Sequence, residues 1–113
     1  MKEIKAILQP ARLFAVLSAL REIPEMPGVT VSDLRAFPRG HAQLRSPSHG
    51  IDAMDSYEAV KLECVVMDEL APAAIDAIAR AARTGNPGDG KIYVYDVADA
   101  IRIQTGKRGE EAI

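Results

Sequence analysis

Thr84-Gly85-Asn86-Pro87-Gly88-Asp89-Gly90-Lys91-Ile92-Tyr93-Val94 joins a glycine-rich loop directly to a strand-like run. Four of its first seven residues are Gly or Pro. Glycines without a β-carbon let backbone N–H groups approach an anion closely, and the lysine that follows adds a point charge. The spacing Gly85-x-x-x-x-Gly90-Lys91 is that of a phosphate loop, but Ile92 stands where Ser or Thr would hold magnesium. The setting is also inverted. A phosphate loop follows a strand and opens a helix, whereas here a helical pattern (73–83) precedes and a strand follows. By itself the run reads more readily as a bare turn, because Asp89-Gly90 is ordinary turn chemistry and short glycine motifs match by chance.

Outward from this loop the pattern is regular. Ile75, Ile78, Ala79 and Ala82 form a helical stripe before it, with Asp68 as the expected N-cap, Pro72 tolerated in the first turn and Gly85 as the expected C′ residue. The many alanines imply close approach of that helix to a sheet. Val60, Leu62, Cys64 and Val66 alternate with Lys61, Glu63, Val65 and Met67 as a strand. At the start of the chain, Ile4, Ala6 and Leu8 mark a strand closed by Pro10. Leu13, Val16, Leu17 and Leu20 follow at i, i+3, i+4 and i+7 as the apolar face of a helix. Ile23-Pro24-Glu25-Met26-Pro27-Gly28 ends it, and Val29 and Val31, with Leu34 and Phe37, read as another strand. After the loop, Ile92 and Val94 make the fourth strand. A short helical turn is expected over 97–100, and residues 105–111 read as a polar tail.

From Pro38 to about Tyr57 periodicity vanishes, and a structureless stretch of that length reads as a long, functional, mobile arm. The order β-α-β, arm, β-α-β is the α+β ferredoxin-like βαββαβ arrangement, with two helices on one face of an antiparallel sheet. Val and Ile on the other face point to packing against further subunits.

Composition bounds the function. The 113 residues fit one domain, 48% apolar and 27% charged, as is ordinary for a soluble globular protein. A net charge of −2 gives no electrostatic case for nucleic acid as a partner. The single cysteine, Cys64, suits a reducing cytoplasm, and no run approaches membrane-spanning length. Cys64 reads as a small buried apolar residue within its strand.

With these elements in place the chain resembles the PII family of signalling proteins almost end to end. The resemblance is carried by residues 1–7 with Pro10, by Val29-Thr30-Val31, and by Phe37 followed by Arg39, Gly40 and His41 at the root of that family's T-loop (about 38–57 here). Residues 61–66 are similar to its third strand. Thr84-Gly85-x-x-Gly88-Asp89-Gly90-Lys91-Ile92 resembles its B-loop (84–91), and Ala100-Ile101-Arg102-Ile103 with Thr105-Gly106 its C-terminal loop (98–113). The two loops together set aside the bare-turn reading.

The resemblance implies a homotrimer that binds ATP or ADP in clefts between subunits and regulates a partner, an enzyme or a membrane transporter, through the T-loop. Nitrogen or related metabolic regulation is the implied setting, without catalysis. Gly88, Asp89, Gly90 and Lys91 would supply amides and an ammonium group to the phosphates. Arg102 and Arg39 would add charge-assisted donors. Thr30, Glu63 and Val65 lie where the family meets adenosine.

Departures from the family pattern are equally specific. Gln104 replaces the second C-loop arginine, at a cost of about 1.5–3 kcal/mol of phosphate contact, or with a shift toward ADP. Pro38 replaces a glycine, and Ala59 replaces the lysine that meets 2-oxoglutarate. The magnesium-coordinating glutamine is missing, so 2-oxoglutarate and Mg are doubtful ligands. The arm also lacks a counterpart of the tyrosine that is uridylylated in other members. The alternatives are a divergent relative serving heavy-metal efflux or other transport, with metal on His41 and His49 beside Asp52 or Asp55, and a weak ATPase.

Overall fold

The computed structural model describes residues 1–37 and 56–113. Its regular elements are β1 (Lys2–Leu8), α1 (Leu13–Arg21), β2 (Thr30–Ala36), β3 (Tyr57–Val66), α2 (Ala71–Ala82) and β4 (Gly90–Asp96). The four strands form one antiparallel sheet in the order β2-β3-β1-β4, the ferredoxin-like order. β1 and β3 therefore lie centrally, and β2 and β4 are the edges.

Alternation along β1 and β3 sends Ile4, Ala6, Leu8, Val60, Leu62, Cys64 and Val66 to one face. There they meet Val16 and Leu20 of α1 and Ala71, Ala74, Ile78 and Ala82 of α2 in a single core. The alanine face of α2 lets it lie close to both α1 and the sheet. Cys64 is buried, as its strand position implies, and burial pushes its thiol up to about 11.

The opposite face stays open in the single chain. Register places Glu3, Lys5 and Ile7 beside Lys61, Glu63 and Val65 and beside Lys91, Tyr93 and Tyr95. It is a mosaic of apolar and charged groups, in which Lys5 Nζ lies 5.7 Å and 5.0 Å from the Tyr93 and Tyr95 ring centres.

Several local expectations are corrected. Asp68 does not cap α2, which starts at Ala71 without a side-chain cap. Its carboxylate instead accepts from the Met1 ammonium at 2.9 Å, a tertiary partner that outcompetes the local one. Gly85 does not close α2 either. That helix stops at Ala82 with Arg83 extended, and its C-terminal carbonyl on Ala81 is satisfied by Arg12, whose Nε and Nη2 donate at 3.0 and 2.6 Å. No helical turn forms over residues 97–100. Residues 101–112 are not a loose tail but a folded loop, with an Ile101–Arg108 bridge and a 3-10 turn at Gly109–Ala112. The arm expected from Pro38 lies outside the described residues up to 55. From Tyr57 the chain already runs in β3, paired with Ala36.

Candidate functional site

The glycine loop is organised from within by Asp89. Its carboxylate accepts the backbone N–H of Thr84 at 2.8 Å and of Gly85 at 2.9 Å, together with the Thr84 hydroxyl. The Thr84 oxygen in turn accepts the Asn86 N–H at 3.2 Å. These donors, the Thr84 hydroxyl foremost, hold the Asp89 carboxyl below its ordinary range. The carboxylate keeps its negative charge, and its donors tie it to the Thr84–Gly85 end of the loop.

Gly90 opens β4 with φ +106°, and a β-carbon there would lie 1.8 Å from the Ile7 carbonyl oxygen. No other residue fits this close crossing of β4 over β1. Gly88, at φ +93°, accepts a hydrogen bond on its carbonyl from Gln9 Nε2 at 3.1 Å. Lys91 follows on the open face, exposed. A cavity of about 680 Å³ lies against this loop, lined by Ile7, Gln9, Phe37, Tyr57, Gly88, Gly90 and Lys91 among others. Apolar walls with a few convergent polar groups are the usual make-up of a small-molecule site.

A second cavity, of about 550 Å³, gathers Thr30, Glu63, Val65 and Arg102 with Glu3 and the C-terminal Ile113. Register explains the first three: Thr30 pairs with Glu63 across β2 and β3, and Val65 is two residues on. Arg102 arrives through the C-terminal loop, where its N–H donates to Lys107 O at 2.9 Å and its carbonyl accepts from Gly106 at 2.7 Å. The flanking Ile103 is 97% exposed, so among the described residues nothing covers it.

Glu63 is paired with Lys61 at 3.3 Å, and the Glu3 carboxyl lies beside it. Contact between the two carboxyls raises Glu3 above the usual glutamate range and, with Lys61, lowers Glu63. Among the described residues no carboxylate pairs with Lys91 or Arg102.

The residues singled out in the sequence therefore fall into two groups. Gly88, Gly90 and Lys91 line one cavity, and Thr30, Glu63, Val65 and Arg102 line the other. Asp89 braces the loop behind the first. Gln104 is exposed on the turn after Arg102 and lines neither. Arg39, His41, His49, Asp52 and Asp55 lie outside the described residues. Among the described residues no three His, Cys, Asp or Glu side chains converge as a metal site, and no helix is long and apolar enough to cross a membrane. Sequence reasoning missed Gln9 and Glu3. Each meets its partner far along the chain, and no local pattern marks such a pair.

Comparison with known proteins agrees with this fold. The family model "Nitrogen regulatory protein P-II" matches residues 1–107. The chain is 46% identical over 115 residues to the nitrogen regulatory protein P-II of Bradyrhizobium diazoefficiens, covering all of both chains. It is 42% identical over 116 residues to nitrogen regulatory protein P-II 1 of Escherichia coli, again over the full length of each. The crystal structure of Arabidopsis thaliana PII bound to citrate matches with a TM-score of 0.80 and 39% identity, covering 99% of this chain and 91% of that one. A ferredoxin-like sheet with these two loops and full-length matches of this kind leave one assignment: the chain belongs to the P-II family of nitrogen regulatory, signal-transducing proteins.

Proposed function

We propose that this P-II protein is a non-enzymatic homotrimeric sensor that binds ATP or ADP in clefts between subunits. Its occupancy would set the state of the arm rooted at Phe37 and Tyr57, through which the protein engages an enzyme or transporter. The observation that carries the reading is the splitting of the cationic groups. Lys91 and the glycine loop sit at the Leu8 end of β1, and the Arg102 cavity sits at the Glu3 end. Five residue steps along β1 separate Glu3 from Leu8, roughly 17 Å. One chain thus carries two half-sites at opposite ends of the sheet's open face, and a head-to-tail neighbour joins the loop of one subunit to the Arg102 cavity of the next. A heterologous contact of that kind closes into a ring when the rotation permits.

Exposed Ile103 and the open face with Tyr93 and Tyr95 supply apolar area for such contacts. The phosphates would meet loop amides, Lys91, Arg102 and Arg39, and the adenosine would meet Thr30, Glu63 and Val65. A nucleotide shifts the arm only through contacts that differ between arm states, and an Arg39–phosphate contact would differ. The reading does not favour 2-oxoglutarate, because Ala59 is buried and carries no cation.

Light scattering with calorimetric titration of ATP, ADP and AMP tests the proposal. Trimeric mass, adenylate binding and its loss in Lys91→Ala are expected, with little response to 2-oxoglutarate and magnesium. A monomer, or an affinity unchanged in Lys91→Ala, overturns it.

A further inference from the structure

The contact between Gln9 and the Gly88 carbonyl joins β1's end to the glycine loop across 79 positions of sequence. Gln9 is well placed to hold it. Pro10 follows directly, restricting Gln9 to extended backbone, and Gln9 shows φ −68° and ψ 136°. Its own carbonyl is taken by the Arg12 N–H at 3.0 Å, so the residue is anchored on both sides.

Gly88 is the mobile partner. A glycine at φ +93° has no side chain to resist rotation of the peptide plane that follows it. That plane is rigid and trans, so the Gly88 oxygen and the Asp89 N–H point in opposite directions and turn together. The oxygen is the wrong pole for an anion. Left free, it can swing toward a phosphate and repel it. Held by the Gln9 amide, it stays at the β1 wall, and the Asp89 N–H is directed away from that wall. Asp89 fixes the other half of the loop through Thr84 and Gly85, and Gly90 is fixed by its contact with Ile7. Among the described residues, the Gly88–Asp89 plane is the part of the loop held by a side chain from another element.

We propose that Gln9 is a positioning residue which sets the Gly88–Asp89 peptide plane and so raises the loop's affinity for nucleotide phosphate. The proposal rests on the nucleotide reading above and adds to it a residue outside the loop itself.

The test uses Gln9→Met, close in shape but without a donor, and Gln9→Glu, close in shape but acceptor-only. ATP affinity is measured by calorimetry, and amide hydrogen exchange at Asp89 is followed in nucleotide-free protein. Losing one neutral hydrogen bond predicts about a 3- to 10-fold weaker ATP affinity in Gln9→Met and faster exchange at Asp89, with a larger loss of affinity in Gln9→Glu. ATP binding by the wild type that is unchanged in Gln9→Met overturns the positioning role alone, as does unchanged exchange at Asp89. A wild type that binds no adenine nucleotide overturns the nucleotide reading, and the positioning role with it.

Discussion

Gly90 crosses the Ile7 carbonyl so closely that a β-carbon on it would lie 1.8 Å from the oxygen. The φ of +106° adds a second demand, since side-chain-bearing residues avoid that region. Gly90→Ala must therefore push β4 away from β1 at the start of their ladder. Urea unfolding is expected to show a loss of about 2–4 kcal/mol. A variant as stable as the wild type would mean that the crossing relaxes freely.

Asp89 ties the glycine loop together, and its carboxyl titrates below the ordinary value of 3.8. A depressed folded-state value contributes stability above the unfolded value and loses it as pH falls through the folded one. Melting temperatures of wild type and Asp89→Asn should therefore differ by a constant amount above about pH 5 and converge in stronger acid. A difference that grows on acidification would contradict the assignment.

Arg12 donates twice to Ala81 O and takes the place of a glycine cap at the end of α2. A cation at a helix C-terminus is favourable, and bonds from a charged donor are stronger than neutral ones. Arg12→Ala is expected to cost about 1–2 kcal/mol in denaturant unfolding, with Arg12→Lys recovering part of it.

Glu25 adopts φ +64° in the turn after Pro24, where Met26 N–H reaches Ile23 O at 3.4 Å. A turn with proline first and positive φ second calls for Gly or Asn at this place. Glu25→Gly should raise stability by about 0.5–1 kcal/mol, measurable as a higher urea midpoint. A lower midpoint would show that Glu25 makes compensating contacts.

The Glu3–Glu63 pair carries two opposite pH dependences. Glu3 is raised from 4.5, so its contribution is full in acid and fades as pH climbs through its folded value. Glu63 is lowered, so its contribution is present above 4.5 and fades in acid. Glu3→Gln keeps a donor to Glu63 at every pH. Its melting temperature should gain on the wild type as pH rises beyond the usual glutamate range, and a parallel pair of curves would dismiss the contact between the two carboxyls.

Much of this molecule is legible from local pattern. The alternation in Ile4, Ala6 and Leu8 and in Leu62, Cys64 and Val66 marks strands with one buried face, and Leu13, Val16, Leu17 and Leu20 mark a helix. Glycines and lysine at 88–91 mark the loop. Capping was less legible, because Asp68 and Gly85 have local chemistry suited to α2 yet are claimed by Met1 and by the loop. A local propensity worth about a kilocalorie is readily overridden by a tertiary partner.

The sequence alone determined the order of elements, the buried face of each, the glycine loop and the likeness to PII, because each depends on residues near one another in the chain. Only the tertiary structure decided that Gln9 holds Gly88, that Arg12 closes α2, that Glu3 meets Glu63, and that the loop and Arg102 lie at opposite ends of the sheet. The last is a placement, and the first three are pairings across strand register and between layers. Their partners are dozens of residues apart, and folding alone brings them within bonding distance.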